Sequence, residues 1–491
     1  MHGILSYGSH VPRHRLQLSE IGQALGGTGG RGSRTVAGYD EDTTSMAVEA
    51  ARDALSGHDR SAIEQVLLAT SVPAYLERAN AAVVHAALQL PSTALALDHL
   101  GSMRAAAGAL VAAARHRGDG ALLAIFSDTR SGLPGSADEK LGADGASALL
   151  VGPGSDEWPV IAEFLGTASR TLEVFDRWRV PGDVSAHVWE ERFAEGPLVA
   201  AGCDVLTDAL TKADLTTGDV DHLVVVGMHD RAVRGVVAGC GVDRHAARYA
   251  TAAGTAGSAG VAQIGYGLAE VFDHAEPGEV IAVVVIGDGA VGIVARTTEA
   301  IANHRNSVPI AQLRDGGRSV SYPTYLSWRG HLHREPPRRP DPQPPAAPPS
   351  FRDAVYKFGL VVGECSKCGV VNIPADRVCI RCHEVDSQVP RPLSEVRGVI
   401  VTYTIDHLAV SPSPPVISAV VDFDGGGRLI CELTDVGPEE VEVGRPVRMT
   451  FRRLATSAGV HNYFWKARPE FLTAAVDPAA PVSTREPSTN R

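Results

Sequence analysis

Four of the seven cysteines fall as Cys365-x2-Cys368 and Cys379-x2-Cys382, with ten residues between the two pairs. Knuckles at this separation let four thiolates close tetrahedrally on one Zn2+, so the last third of the chain must open with a metal-stapled module. Lys367 and Arg381 sit inside the knuckles and offset part of the negative charge of a four-thiolate site. Two disulfides would instead require an oxidising compartment and typically a small secreted chain, which 491 residues do not suggest. Four protein ligands leave no open position for water or substrate, so the zinc on Cys365, Cys368, Cys379 and Cys382 is read as structural.

A second feature divides the chain. Eight of the fourteen residues from Pro336 to Pro349 are proline, a composition that favours an extended polyproline II linker. At about 3.1 Å per residue it reaches about 40 Å, enough to fold the zinc module over the first domain or onto a neighbouring subunit. The Pro/Ser/Thr-rich end from about Asp477 to Arg491 has no apolar period and reads as a frayed tail.

Before the linker, strand-like and helix-like patterns alternate. Gln65–Thr70, Ala94–Leu97 and Ala121–Phe126 read as strands, Ala79–Leu90 and Arg104–Arg117 as helices, the pattern of an α/β domain. The Ala-rich helix from Arg104 is apolar on every face for three turns and is expected to be enclosed on all sides. A faint repeat points to duplication: Ala121–Phe126 leads to Gly142-Ala-Asp-Gly-Ala, and Val280–Ile286 leads to Gly287-Asp-Gly-Ala. A formal charge of −12 speaks against nucleic-acid binding, which needs a basic face. Residues 1–12 lack a basic start followed by an apolar core, and no run of about eighteen apolar residues occurs, so a cytoplasmic protein without a membrane span is expected.

These residues resemble the thiolase superfamily, in its ketoacyl synthase III and hydroxymethylglutaryl-CoA synthase branch, over nearly all of residues 1–300. The resemblance rests on Thr70-Ser-Val-Pro-Ala-Tyr, Gly142-Ala-Asp-Gly-Ala, Phe175-Asp-Arg-Trp-Arg-Val-Pro and Gly254-Thr-Ala-Gly-Ser-Ala. From Tyr356 to about Pro469 the chain resembles zinc-ribbon and OB-fold proteins that associate with thiolases and bind acyl-CoA. The knuckles, Gly444-Arg-Pro-Val and Tyr463-Phe-Trp-Lys carry that match. The resemblance implies a duplicated five-layer α/β domain over 1–330, with halves of about 1–165 and 166–330. A linker follows at 331–352, then a helix and rubredoxin-like zinc ribbon at 353–390, a β-barrel OB-fold at 391–475 and a flexible tail at 476–491. It also implies a homodimer paired through a sheet edge.

The family's chemistry begins with a cysteine at the N-terminus of the buried helix, where the helix dipole and a nearby histidine favour the thiolate. Gly101-Ser-Met-Arg-Ala matches that pattern with Met103 in the cysteine's place, and a thioether has no proton to lose. Ser102 is either a substitute nucleophile or an N-cap. The family's histidine is kept as His229, after the strand-like run from Leu223, where a neutral imidazole can accept a proton or hydrogen-bond a thioester oxygen; otherwise it fills a polar slot. Thr255 replaces the family's asparagine and is either a hydrogen-bond donor or a turn residue. Gly254, Gly257 and Ser258 belong to the same glycine-rich loop, expected to line the substrate site. His99 and Asp288 are weaker pocket candidates, with a satisfied strand-end histidine and a solvated turn carboxylate as the plainer readings. The family's catalytic glutamate has no counterpart in Ser71-Val-Pro-Ala-Tyr, which argues against hydroxymethylglutaryl-CoA synthesis itself. Cys203, Cys240 and Cys431 read as isolated buried thiols.

Three functions fit. The first is transfer of an acyl group from CoA or an acyl carrier protein to a small-molecule acceptor without an acyl-enzyme, with His229 taking the acceptor's proton. The second is retro-aldol or other lyase chemistry on a β-hydroxyacyl or β-ketoacyl thioester, and the third is a non-catalytic acyl-CoA scaffold.

Overall fold

The computed structural model describes residues 1–470 apart from 28–29, 244, 250–255, 305, 307, 336–337, 339 and 341, and the backbone alone of 191, 248 and 249. The first domain is organised by nine strands: β1 (His2–His10), β2 (Ile63–Thr70), β3 (Leu95–Leu100), β4 (Ala121–Asp128), β5 (Gly145–Pro153), β6 (Ala162–Thr171), β7 (His222–Gly227), β8 (Val280–Ile286) and β9 (Gly289–Thr297). They hydrogen-bond in the order β7-β8-β9-β6-β1-β5-β4-β2-β3. The repeat seen in the sequence becomes geometry here. β4–β5 and β8–β9 both pair antiparallel and both second strands start after an Asp, but β8–β9 is a tight hairpin over Gly287-Asp288 whereas β4 and β5 are joined by residues 129–144 with a short helix at Ala137–Leu141; the halves join where β1 meets β6 at Gly3 and Glu163. All seven residues of β8 are buried, as a strand covered on both faces demands.

Helices α1 (Thr43–Ala54) and α3 (Glu191–Lys212) pack on the strands of the first and second halves, and α4 (Asp230–Gly239) packs beside α3. α2 (Met103–Arg115) and α5 (Gln263–Phe272) share one apolar core between the two halves. Glycines let α5 come close: a Cβ on Gly267 would sit 2.5 Å from Val224 Cγ1. α5 is the fully enclosed helix, whereas α2 is not, contrary to the sequence expectation. Its Ala105, Val111 and Ala112 are half-buried and Gly108 is exposed, because β3 is the last strand of the sheet and leaves that side of α2 uncovered within one chain. Among the described residues no helix is long and apolar enough to cross a membrane.

The proline-rich segment is not extended throughout. A helix starts at Ala347 with Pro348 and Pro349 in its first turn, where the missing N–H costs no hydrogen bond. A second short helix, Ala354–Gly359, leads into a three-stranded ribbon of Val361–Cys365, Val371–Asn372 and Gln388–Pro392. The last unit is a barrel of β10 (Gly398–Asp406), β11 (Val416–Phe423), β12 (Arg428–Glu432), β13 (Pro446–Ser457) and β14 (Val460–Pro469), in the order β12-β11-β10-β13-β14. A parallel bridge between Leu433 and Ala467 closes it. The tail at 476–491 lies outside the described residues.

Within the chain, the barrel docks on the first domain. Asp40, Glu41 and Asp42, just before α1, meet a row of cations from β13 and β14. Arg452 lies 2.8 Å from Asp435 and 3.2 Å from Glu41, Lys466 lies 2.9 Å from Asp40, and Tyr463 donates to Asp42 at 2.7 Å. Arg452 and Lys466 are fully buried, so these charges depend on one another for compensation. Apolar contacts run continuously from α1 into the barrel through Phe451, Tyr463 and Trp465.

Candidate functional site

The site is built where the C-terminal ends of parallel strands meet helix starts. β7 ends at Gly227, and His229 follows as the N-cap of α4 with extended backbone. Its Nδ1 accepts a hydrogen bond from the backbone N–H of Ala232 at 3.1 Å. A backbone amide can only donate, so the neutral ring carries its proton on Nε2 and presents a donor there. Of the two roles open in the sequence, donation to a substrate oxygen matches this tautomer and proton acceptance does not.

α2 begins at Met103, with Ser102 as its N-cap accepting from Arg104 N at 3.2 Å. That bond gives Ser102 the capping role. Met103 is 3 % exposed, and the bare face of Gly287 packs on it, since a Cβ there would stand 2.8 Å from Met103 Cβ. A cavity of about 900 Å3 opens beside this contact. Ser102, Met103, His229, Gly257, Ser258, Gly287 and Asp288 line it, and the lining that the structure describes holds no cysteine. Ser258 is tied to the Gly142 turn, its amide donating to Leu141 O and its carbonyl accepting from Ala143 N, each at 2.8 Å.

Not every expected residue arrives. His99 is absent from the described lining; its Nδ1 lies 3.8 Å from where a Gly108 Cβ would stand, on the open side of α2. Gly101, Ser102 and Met103, just after β3, do line it, so His99 stands close to the cavity in sequence but lies against Gly108 of α2 instead. Thr255 and Gly254 lie outside the described residues. Asp144 and Asp288, equivalent in the repeat, diverge. Asp144 is fully buried and pairs with Arg34 and Arg329, whereas Asp288 is exposed at a positive φ of 46°. Cys240 and Cys431 are buried as expected, whereas Cys203 is only half-buried, with its Sγ near Gly239 at the end of α4.

The segment Phe175–Arg179 supplies what sequence reasoning did not name. Asp176, Arg177, Trp178 and Arg179 all line the cavity, together with Arg130 and Lys140. Arg177 bonds Asp138 through both nitrogens, at 3.0 and 2.5 Å. Burial would raise the Asp138 carboxyl, yet the Arg177 hydrogen bonds and charge hold it below its ordinary range. Burial pushes Asp176 the other way, up, against the attraction of His229, with Asp288 adding to the rise. Burial also lowers Arg130, to about 10. The Phe175-Asp-Arg-Trp-Arg-Val-Pro stretch was visible in the sequence, but only folding brings Asp176 into the cavity that His229 lines.

Asp128 fastens the site from behind. Fully buried at the end of β4, it accepts from Ser71 N at 2.7 Å and from Val261 N at 3.0 Å, joining the Ser71 loop to the loop before α5.

The four knuckle cysteines form a separate centre, none of them lining the cavity. Their Sγ atoms all lie within 4.8 Å of one another, with Cys365–Cys382 and Cys368–Cys379 each at 3.6 Å. Four sulfurs about 2.3 Å from a tetrahedral Zn2+ stand about 3.8 Å apart, so the donor set and spacing fit that ion. Asn372 Oδ1 accepts from Ile380 N at 2.9 Å and fixes the second knuckle.

Comparison with known proteins agrees with this architecture. The chain is similar to the hydroxymethylglutaryl-CoA synthase of Methanococcus vannielii, 27% identical over 353 residues that cover 67% of this chain and 98% of that protein. The Picrophilus torridus enzyme of the same name is 27% identical over 351 residues, covering 67% and 97%. A solved HMG-CoA synthase complexed with CoA superposes with a TM-score of 0.54 at 18% identity, over 66% of this chain and 89% of that one. Ketoacyl-carrier-protein synthase III from Pseudomonas aeruginosa gives 0.52 at 19%, over 60% and 98%. The family described as ChsH2, C-terminal OB-fold domain, matches residues 390–452. The chain therefore has a thiolase-like α/β fold followed by a ribbon whose four cysteines fit zinc and by an OB-fold, and the relatives it resembles carry the names hydroxymethylglutaryl-CoA synthase and 3-oxoacyl-(acyl carrier protein) synthase III.

Proposed function

We propose that this chain activates an acyl thioester of CoA or a carrier protein in the Met103–His229 cavity and passes the acyl group to a small-molecule acceptor without forming an acyl-enzyme. The observation that carries the reading is the first residue of α2. Met103 faces the cavity at the helix start where the resemblance places a nucleophilic cysteine, and its thioether can neither ionise nor form a usable thioester. The acceptor's nucleophilic atom bonds to the acyl carbon as the C–S bond breaks and its proton passes to the departing thiolate, so catalysis rests on holding two reactants together and on stabilising charge at the thioester oxygen.

His229 supplies that stabilisation. Its Nε2–H donates to the thioester oxygen as negative charge gathers there, an interaction of the kind whose removal costs about 2.7–4 kcal/mol of barrier. Arg130, Arg177, Arg179 and Lys140 give the cavity a cationic lining suited to the phosphates of a CoA or phosphopantetheine donor. One structural relative is complexed with CoA and another with an apo donor carrier protein, which supports that donor class. Zinc bound by the knuckles would act structurally, tying the ribbon strands together at a distance from the chemistry.

A second reading, cleavage of a β-hydroxyacyl thioester, is favoured by the half-buried carboxylate of Asp176 in the same cavity, a suitable acceptor for the β-hydroxyl proton.

The test is intact mass after incubation with an acyl-CoA. The native protein is expected to show no adduct, and Met103→Cys to gain one acyl group. Turnover should fall in His229→Ala while CoA binding persists. An acyl adduct on the native protein would refute the non-covalent reading, and CoA binding without any turnover would leave a scaffold.

A further inference from the structure

Among the described residues, four carboxylates line the cavity: Asp138, Asp176, Asp230 and Asp288. Asp138 is clamped by Arg177, Asp230 lies 2.6 Å from Arg234, and Asp288 is exposed to solvent. Asp176 is half-buried, as Asp138 is, but has no such clamp among the described residues, and its backbone is fixed on both sides. Its carbonyl accepts from Trp189 N at 2.7 Å, and the chain leading to it is anchored where Leu172 N donates to Asp288 O at 3.1 Å. Phe175 and Trp178 stack at 4.6 Å between ring centroids on either side of the Asp176–Arg177 pair. The residue is thus held in the cavity that His229 also lines, close enough for the imidazole to act on its carboxyl electrostatically, and the neutral imidazole carries its proton on Nε2.

We infer that Asp176 is the proton-transfer residue of this cavity, removing a proton from the α-carbon of the bound acyl thioester while His229 Nε2–H holds the enolate oxygen. The inference rests on the reading that the cavity binds a thioester with its oxygen on His229. The step balances without a further reagent. The α C–H bond breaks, its electron pair forms the enolate C=C, the carbonyl π pair moves onto oxygen, and the proton goes to the Asp176 carboxylate. Return of that proton to carbon regenerates the thioester. Burial raises the Asp176 carboxyl and brings its basicity closer to what an α-proton requires. Addition of the enolate to a carbonyl acceptor, or its release by Cα–Cβ cleavage, are the two reactions such a group would serve.

The experiment is α-proton exchange: acetyl-CoA with the full-length protein in D2O, deuterium at the methyl group read by mass spectrometry, and acetyl-CoA binding measured in parallel. The native protein is expected to incorporate deuterium. Asp176→Asn should slow incorporation by about 100-fold or more with binding retained, and Asp176→Glu should restore part of the rate. Equal exchange in Asp176→Asn would overturn the assignment while leaving the His229 reading intact. Acyl transfer by a native protein that exchanges no deuterium would also overturn it. Binding with neither exchange nor turnover would sink this inference together with the function it rests on.

Discussion

Replacing Arg452 by methionine tests whether the barrel is held on the first domain by charge. The guanidinium is fully buried against Glu41 at 3.2 Å and Asp435 at 2.8 Å, with Asp40 at 3.9 Å. Lys466 still compensates Asp40 in the variant, but Glu41 and Asp435 lose their nearest cation. Burial on its own would raise Glu41; Arg452, followed by the His10 contacts, instead holds it at about 2. His10 and the Gly38 amide share in that depression, and removing one partner of a buried ion pair costs about 3–5 kcal/mol. The sign over pH follows. A carboxyl lowered by folding contributes stability above its unfolded value, near 4.5, and loses it as pH falls toward 2. Urea unfolding followed by tryptophan fluorescence, with Trp465 buried in the barrel, should therefore show a deficit of about 3–5 kcal/mol at neutral pH that shrinks below about pH 4. A deficit under about 1 kcal/mol, or one that is the same at both pH values, would refute the reasoning.

Three further outcomes are expected. His229→Gln keeps an N–H donor, so its turnover should lie between native and His229→Ala, the latter down by about 10²–10³, in steady-state kinetics. Cys379→Ser should drop bound zinc from about one per chain to near zero by elemental analysis and make the ribbon between Val361 and Pro392 sensitive to limited proteolysis. Leu95 and Leu97 stand exposed on edge strand β3 beside the open side of α2; pairing of two chains through this edge predicts a dimer mass for the native protein and a monomer mass for Leu97→Arg in light scattering, and a native monomer refutes it.

The sequence carried every feature that depends on local spacing. The cysteine pairs are two residues apart within each knuckle, the strand and helix periods repeat over a few residues, and the Gly-Ser-Met-Arg start of α2 is contiguous, so metal donors, α/β class and the thioether at the helix start are written in short stretches. Local spacing also misled: the apolar run of α2 looks enclosed, yet whether a helix is covered depends on which strand ends the sheet, and proline content hid the helix at Ala347.

What the tertiary structure alone decided is which distant groups share a site. The His229 tautomer follows from the backbone amide of Ala232 once α4 turns over it, and Asp176, about fifty residues away in the chain, lines the same cavity within electrostatic reach of that ring. Arg452 finds Glu41 from the far end of the molecule. Such pairings are set by topology and burial, where desolvation makes a charge depend on whatever partner the fold supplies, and no periodicity in the chain encodes that partner.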